Sequence, residues 1–154
     1  MIHRELLFTS RQMDQIDSEK KYAYCVEYHS NSNGIFREYK LRDKLHNVGG
    51  PAVEYKDGTK HWYKNGHLHR DDHLPAIENS DGNKEWWLNG RRHRDGDLPA
   101  IEESNGTKSW YRDGLRNRDG NLPAVERADG TKKWYRDGKL YREGNLPAIE
   151  RPDG

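Results

Sequence analysis

The chain has 154 residues, 31% hydrophobic and 34% charged, with 27 Lys and Arg against 26 Asp and Glu, a net charge of +1. That balance creates no global field to attract DNA or an anionic membrane, and a mean hydropathy of −1.32 leaves no segment of transmembrane length. Such polarity taken alone suggests disorder, but five Trp and nine Tyr recurring in register argue for a thin sheet with two partly wet faces.

Residues 1–23 lie outside any repeat. The apolar run at Ile2–Phe8 is too short for a signal peptide. Thr9 and Gln12 have capping-box spacing for a short helix to about Ile16, and a strand over Leu6–Thr9 fits equally well. Cys25 has no second cysteine to pair with, which fits a reducing compartment, so a cytoplasmic protein is expected. Residues 24–50 read as a worn repeat. Tyr24-Cys25-Val26-Glu27-Tyr28 parallels Pro51-Ala52-Val53-Glu54-Tyr55, and Tyr39-Lys40 parallels Tyr63-Lys64, with Glu38 in the place of Trp62. Terminal units of stacked arrays are commonly atypical, because one side lacks a neighbour.

From residue 51 the chain repeats every 24 residues. Pro-Ala returns at Pro51, Pro75, Pro99, Pro123 and Pro147, making four full units and a partial fifth over 51–154. The frame is Pro-Ala-(Ile/Val)-Glu-x-x-(Asp/Asn)-Gly-x-Lys-x-Trp-aromatic-x-(Asn/Asp)-Gly-x-x-x-Arg. Each unit holds two turn dipeptides, Asp57-Gly58 and Asn65-Gly66 in the first, both of the kind that favours two-residue type I′ hairpins. A two-residue turn at Asp57-Gly58 predicts Lys56 opposite Thr59, Val53 opposite Trp62 and Ala52 opposite Tyr63. Alternation then sends Val53 and Trp62 to one face and Ala52 and Tyr63 to the other. The expected fold is all-β: stacked antiparallel β-hairpin repeats in one elongated twisted sheet, behind a small N-terminal cap. Two main strands per unit advance such a sheet by about 10 Å.

The run Trp62-Tyr63-Lys64-Asn65-Gly66-His67-Leu68-His69, with the Pro51-to-Gly58 strand, resembles MORN-type repeats. The resemblance covers 51–154 and, in worn form, 24–50. Where that family has His-Gly-x-Gly, this chain has His69-Arg70-Asp71-Asp72, His93-Arg94-Asp95-Gly96, Asn117-Arg118-Asp119-Gly120 and Tyr141-Arg142-Glu143-Gly144. This version looks like the variant repeats of bacteriophage, giant-virus and bacterial proteins. The resemblance implies hairpin sheets that contact proteins or, in some cases, anionic lipids.

Recurring positions are read as scaffold. Trp62, Trp86, Trp110 and Trp134 form the core, one per unit, and Glu54, Glu78, Glu102 and Glu126 offer partners to Arg70, Arg94, Arg118 and Arg142. His61, His67, His69 and His73 cluster in the first full unit. The His69 slot, however, accepts Asn117 and Tyr141, so no metal and no cofactor are expected. His93-Arg94-Asp95 spells a kinase catalytic tripeptide without the Gly-rich loop or Asp-Phe-Gly motif. No nucleophile elbow or P-loop is present, and the chain is read as non-enzymatic.

Positions that break the period are free to serve a partner. Trp87, Leu88, Arg91, Arg92, His93 and Arg94 are the candidate partner-binding residues, and they include the densest basic run. The function expected is a protein-binding repeat scaffold. The phage-like repeat type suggests a phage-encoded protein that binds and inhibits a host factor, such as a CRISPR-like defence complex, in the host cytoplasm. The alternative is a glycan- or anionic-lipid-binding module using an aromatic face. A homo-oligomer through edge strands is also consistent, with the last strand near Pro147 as the edge. Nucleic acid is disfavoured by the near-neutral charge.

Overall fold

A computed structural model describes residues 4–6, 23–27 and 34–152. The described residues are all-β and open antiparallel, as the repeat predicted. Strands β1 (Arg4–Leu6), β2 (Ala23–Glu27) and β3 (Ile35–Leu41) begin the main sheet, with β4 (Lys44–Leu45) turned back on β3. The first full unit follows as β5 (Val53–Tyr55), β6 (Lys60–His61), β7 (Tyr63–Lys64) and β8 (His67–Leu68). The main sheet takes β5 and β6 from this unit and the matching pair from each later one, ending at Ile149–Glu150. The other two strands of each unit form a separate hairpin, β7 with β8 in the first. The helix considered over 9–16 lies outside the described residues. A strand is present at Arg4–Leu6, and residues 7–9 of the predicted Leu6–Thr9 span lie outside the described residues.

The two turns of a unit are built differently, which corrects the predicted register. Asn65 and Gly66 both have positive φ, 53° and 85°, and pair Lys64 with His67 across a two-residue type I′ turn. At the first turn only Gly58 has positive φ, 92°. Tyr55 N–H donates to the Thr59 carbonyl at 2.9 Å and Gly58 N–H to the Tyr55 carbonyl at 3.1 Å, closing a three-residue loop. The Asp57 carboxylate accepts the Thr59 N–H at 2.8 Å. That side-chain bond fixes a turn followed by a left-handed glycine, which adds one residue to the loop. Val53 therefore pairs with His61 and Glu54 with Lys60.

A slip of one residue exchanges the faces. Ala52 shares a face with Trp62, and Val53 shares the other with His61. The ring contacts agree: Tyr55 and His61 centroids lie 4.9 Å apart, and His61 and Tyr63 6.4 Å. The predicted pairs of Val53 with Trp62 and Ala52 with Tyr63 do not form.

The core is a column of small and large residues. Ala52, Ala76, Ala100 and Ala124 have no exposed surface, and the Trp62, Trp86, Trp110 and Trp134 rings are 4–9% exposed. An alanine gives the indole room, and the indole supplies the buried area that a thin sheet otherwise lacks. Each Trp N–H crosses to the next unit's Ala carbonyl, from Trp62 to Ala76 at 2.8 Å through Trp134 to Ala148 at 2.9 Å. Residues 23–27 and 34–50 follow the same plan with one shift from the sequence alignment. Tyr39 N–H donates to the Ala52 carbonyl at 2.7 Å, so Tyr39, not Glu38, stands in the Trp slot. Glu38 pairs with Val53, as His61 pairs with Ile77 one unit on.

Candidate binding surface

The segment after each second hairpin runs along one side of the sheet and ties its unit to the next. Its arginine guanidinium lies over its own unit's indole: Arg70 over Trp62 at 3.8 Å, Arg94 over Trp86 at 3.6 Å, Arg118 over Trp110 at 3.8 Å, Arg142 over Trp134 at 3.6 Å. The same guanidinium reaches forward. Arg94 donates to the Pro99 carbonyl at 3.1 Å and to Glu102 at 2.7 Å. The Glu–Arg ladder therefore forms across units, as Arg70–Glu78, Arg94–Glu102, Arg118–Glu126 and Arg142–Glu150. A guanidinium suits this place because it stacks and donates in its plane at once.

A third turn follows the arginine, one the sequence reading did not single out. Asp72-His73, Gly96-Asp97, Gly120-Asn121 and Gly144-Asn145 all have positive φ at both residues. The carbonyls of His73, Asp97 and Asn121 accept the indole N–H of the next unit's Trp at 2.8, 3.0 and 2.9 Å. The signal was present as Gly-(Asp/Asn) at the same period, and Asp72 in the first unit hides it.

The slot before the arginine is a staple. His69 Nδ1 accepts the Asn89 N–H at 3.2 Å, and its Nε2 lies 2.8 Å from Asp71. His93 does the same with the Asp113 N–H at 3.2 Å and with Asp95 at 3.1 Å. A neutral imidazole protonated on Nε2 satisfies both partners. Asn117 reproduces the pattern, accepting the Asp137 N–H at 3.2 Å through its oxygen while its amide nitrogen faces Asp119 at 3.4 Å. The slot takes His or Asn because each carries an acceptor and a donor about two bonds apart. The hydrogen bond from His69 holds the Asp71 carboxyl below its ordinary range, and His93 does so for Asp95.

Between neighbouring staples lie open clefts of about 210, 350 and 280 Å³, and one of about 620 Å³ at the first junction. Leu74, Leu98 and Leu122, each directly before a Pro-Ala, line them, and with the equivalent Leu146 these leucines are 43–50% exposed, one per unit. Asp71, Asp95, Asp119 and Glu143 stand beside them with side chains 54–69% exposed.

The predicted partner residues divide into two groups. His93 and Arg94 belong to the staple and the stack. Arg92 is also engaged: its Nε donates to Glu85 at 3.0 Å, and its guanidinium lies 4.8 Å from the Trp87 ring and 5.6 Å from Tyr111. Trp87 donates its indole N–H to Glu85 at 3.0 Å and is half-buried. Leu88 and Arg91 are exposed, Leu88 by 40%, and the Arg92 side chain keeps 37% of its surface.

On the opposite face, burial pushes the Tyr55 and Tyr63 phenols up and the His61 imidazole down. His67 pairs across its hairpin with Lys64, and no three His, Cys, Asp or Glu side chains gather around a common point among the described residues. Comparison of the chain with family models, with curated proteins and with solved structures matched none of them.

Proposed function

We propose that the protein is a non-enzymatic repeat scaffold that presents the staple side of its sheet to a protein partner. One observation carries this reading: exposed leucines recur once per unit beside open clefts, on a side whose recurrent polar groups are already spent on junction bonds. Apolar side chains in a row with an acidic rim suit an extended protein segment bearing apolar and basic residues at a matching interval. Within this class, the likeness to MORN-type repeats of bacteriophage proteins makes a host defence complex the first partner to test.

The glycan or lipid alternative has less support. The ring faces of Trp87, Tyr111 and Tyr135 are already opposed by Arg92 and Arg116 at 4.8–5.6 Å, which leaves little free face for a sugar to stack on.

The test is capture of host proteins by the wild type and by a Leu98→Asp, Leu122→Asp double variant with unchanged circular dichroism. A partner retained by the wild type and lost by the variant supports the reading. Equal capture by both, or none above background, overturns it.

A further inference from the structure

At the first junction the staple is half complete. His46 occupies the slot of His69 and His93, and its Nδ1 accepts the Asn65 N–H at 3.1 Å, as they accept the N–H of Asn89 and Asp113. His46 is 2% exposed, and its Nε2 has no hydrogen-bond partner among the described residues. The reason is legible in the sequence. Two residues after His69 and His93 stand Asp71 and Asp95, whose carboxylates face the imidazole, whereas two residues after His46 stands Val48, which is 57% exposed. With Nδ1 committed as acceptor, a neutral His46 must carry its proton on Nε2. A buried donor facing no acceptor is uncommon in folded proteins.

Two other buried nitrogens are unpartnered, the Nε atoms of Arg94 and Arg142. Those guanidinium groups bind through their other nitrogens. The position from which Asp97 serves Arg118 Nε at 2.9 Å holds His73 and Asn121 in front of them. His46 differs because the space beside it is also enlarged. Asn47 replaces the arginine and donates to the Pro51 carbonyl at 3.0 Å, and Gly49-Gly50 stands where the next unit has the three residues Asp72-His73-Leu74. His46 lines the resulting cleft of about 620 Å³, the largest of the four described above. Lys64, Tyr63 and Arg70 line it too, together with Asp71 and Asp72; Lys64 Nζ lies 3.3 Å from Asp71, and Arg70 donates to the Pro75 carbonyl and Glu78.

We infer that the first cleft is a carboxylate-binding site, in which an acidic side chain of a protein partner takes the hydrogen bond of His46 Nε2. The other junctions show what completes this slot, a carboxylate supplied by the chain itself. The inference rests on the partner-scaffold reading for the source of the carboxylate, but the site can be tested without the partner.

The Asn65 amide reports on His46 through its hydrogen bond. It is followed by two-dimensional nitrogen–proton NMR while acetyl-Gly-Glu-Gly-amide, the matching Gln peptide or inorganic phosphate is added. The Glu peptide is expected to give a saturable shift with a Kd on the order of 1 mM. The Gln peptide and phosphate should bind at least about tenfold more weakly, a difference that corresponds to a factor of ten in Kd. Val48→Asp should abolish the response by supplying the carboxylate internally, while Val48→Ala retains it. Position 48 is exposed, so both variants should fold, which their spectra report directly. The inference is overturned if the wild type gives no saturable shift, if phosphate or the Gln peptide binds as well as the Glu peptide, or if Val48→Asp responds like the wild type. A failure here leaves the leucine row untouched, and the leucine double variant tests that row separately.

Discussion

The first junction and the fourth are two versions of one joint. At the fourth, Trp110 is capped by Arg118, which also binds Asp97, Pro123 and Glu126. At the first, Tyr39 stands for the tryptophan, Asn47 for the arginine and Val48 for the acid. The backbone bonds are alike: Tyr39 to Ala52 at 2.7 Å matches Trp110 to Ala124 at 2.9 Å. The side chains that weld a unit to its neighbour are therefore separable from the strand pairing that places it. The joint with pairing but no weld has the larger cleft, about 620 Å³, and a buried imidazole Nε2 without a partner.

The comparison is broken most severely by Trp110→Ala. The ring is 5% exposed and carries the Arg118 stack and the bond to the Asp97 carbonyl. A loss of about 3–5 kcal/mol is expected in urea unfolding. Arg118→Ala should cost about 2–3 kcal/mol, since charge-assisted bonds and a desolvated cation–π contact go together. Asn47→Ala should cost only about 1 kcal/mol, for one neutral hydrogen bond. If the two substitutions cost the same, the arginine is not the weld. In the other direction, Val48→Asp should raise stability by about 1 kcal/mol by giving His46 its acceptor.

Acid should act on the later joints first. The Asp71 and Asp95 carboxyls are held low by their bonds to His69 and His93. A carboxyl with a depressed folded pKa contributes stability that is present above its unfolded value and is lost as pH falls through the folded one. The melting temperature should therefore fall below about pH 4. Asp95→Asn should flatten that fall; an unchanged slope would show that the His–Asp bonds carry no linkage. This is the smallest effect expected, because both carboxylates are exposed.

Much of the fold was legible because it is written with a period. Pro-Ala, the Trp column, and the Asn65-Gly66 turn with its equivalents each say the same thing in every unit. The register was misread at Asp57-Gly58 because the dipeptide alone does not reveal the Asp57 bond to Thr59 that lengthens the loop. The third turn was missed because Asp72 stands where Gly96, Gly120 and Gly144 stand. Trp87 and Leu88 were chosen for departing from the frame and Arg91, Arg92, His93 and Arg94 as the densest basic run, of which Arg92, His93 and Arg94 bond within the scaffold. Identity shows what varies, not what is already bonded. The staple slot was seen as tolerant of His, Asn and Tyr, which masked the donor–acceptor pattern that His and Asn share.

The sequence by itself determined the all-β class, the repeat length, the tight second turn and the row of core tryptophans, since each depends on local geometry repeated at a fixed interval. Only the tertiary structure decided which face each strand residue takes, that Arg70, Arg94, Arg118 and Arg142 reach the following unit, and that His46 Nε2 is buried without the carboxylate its counterparts face. The staple that exposes the last of these joins residues 19 and 20 apart across a junction, as His46 meets Asn65 and His93 meets Asp113. Spacing within one unit carries no record of that meeting.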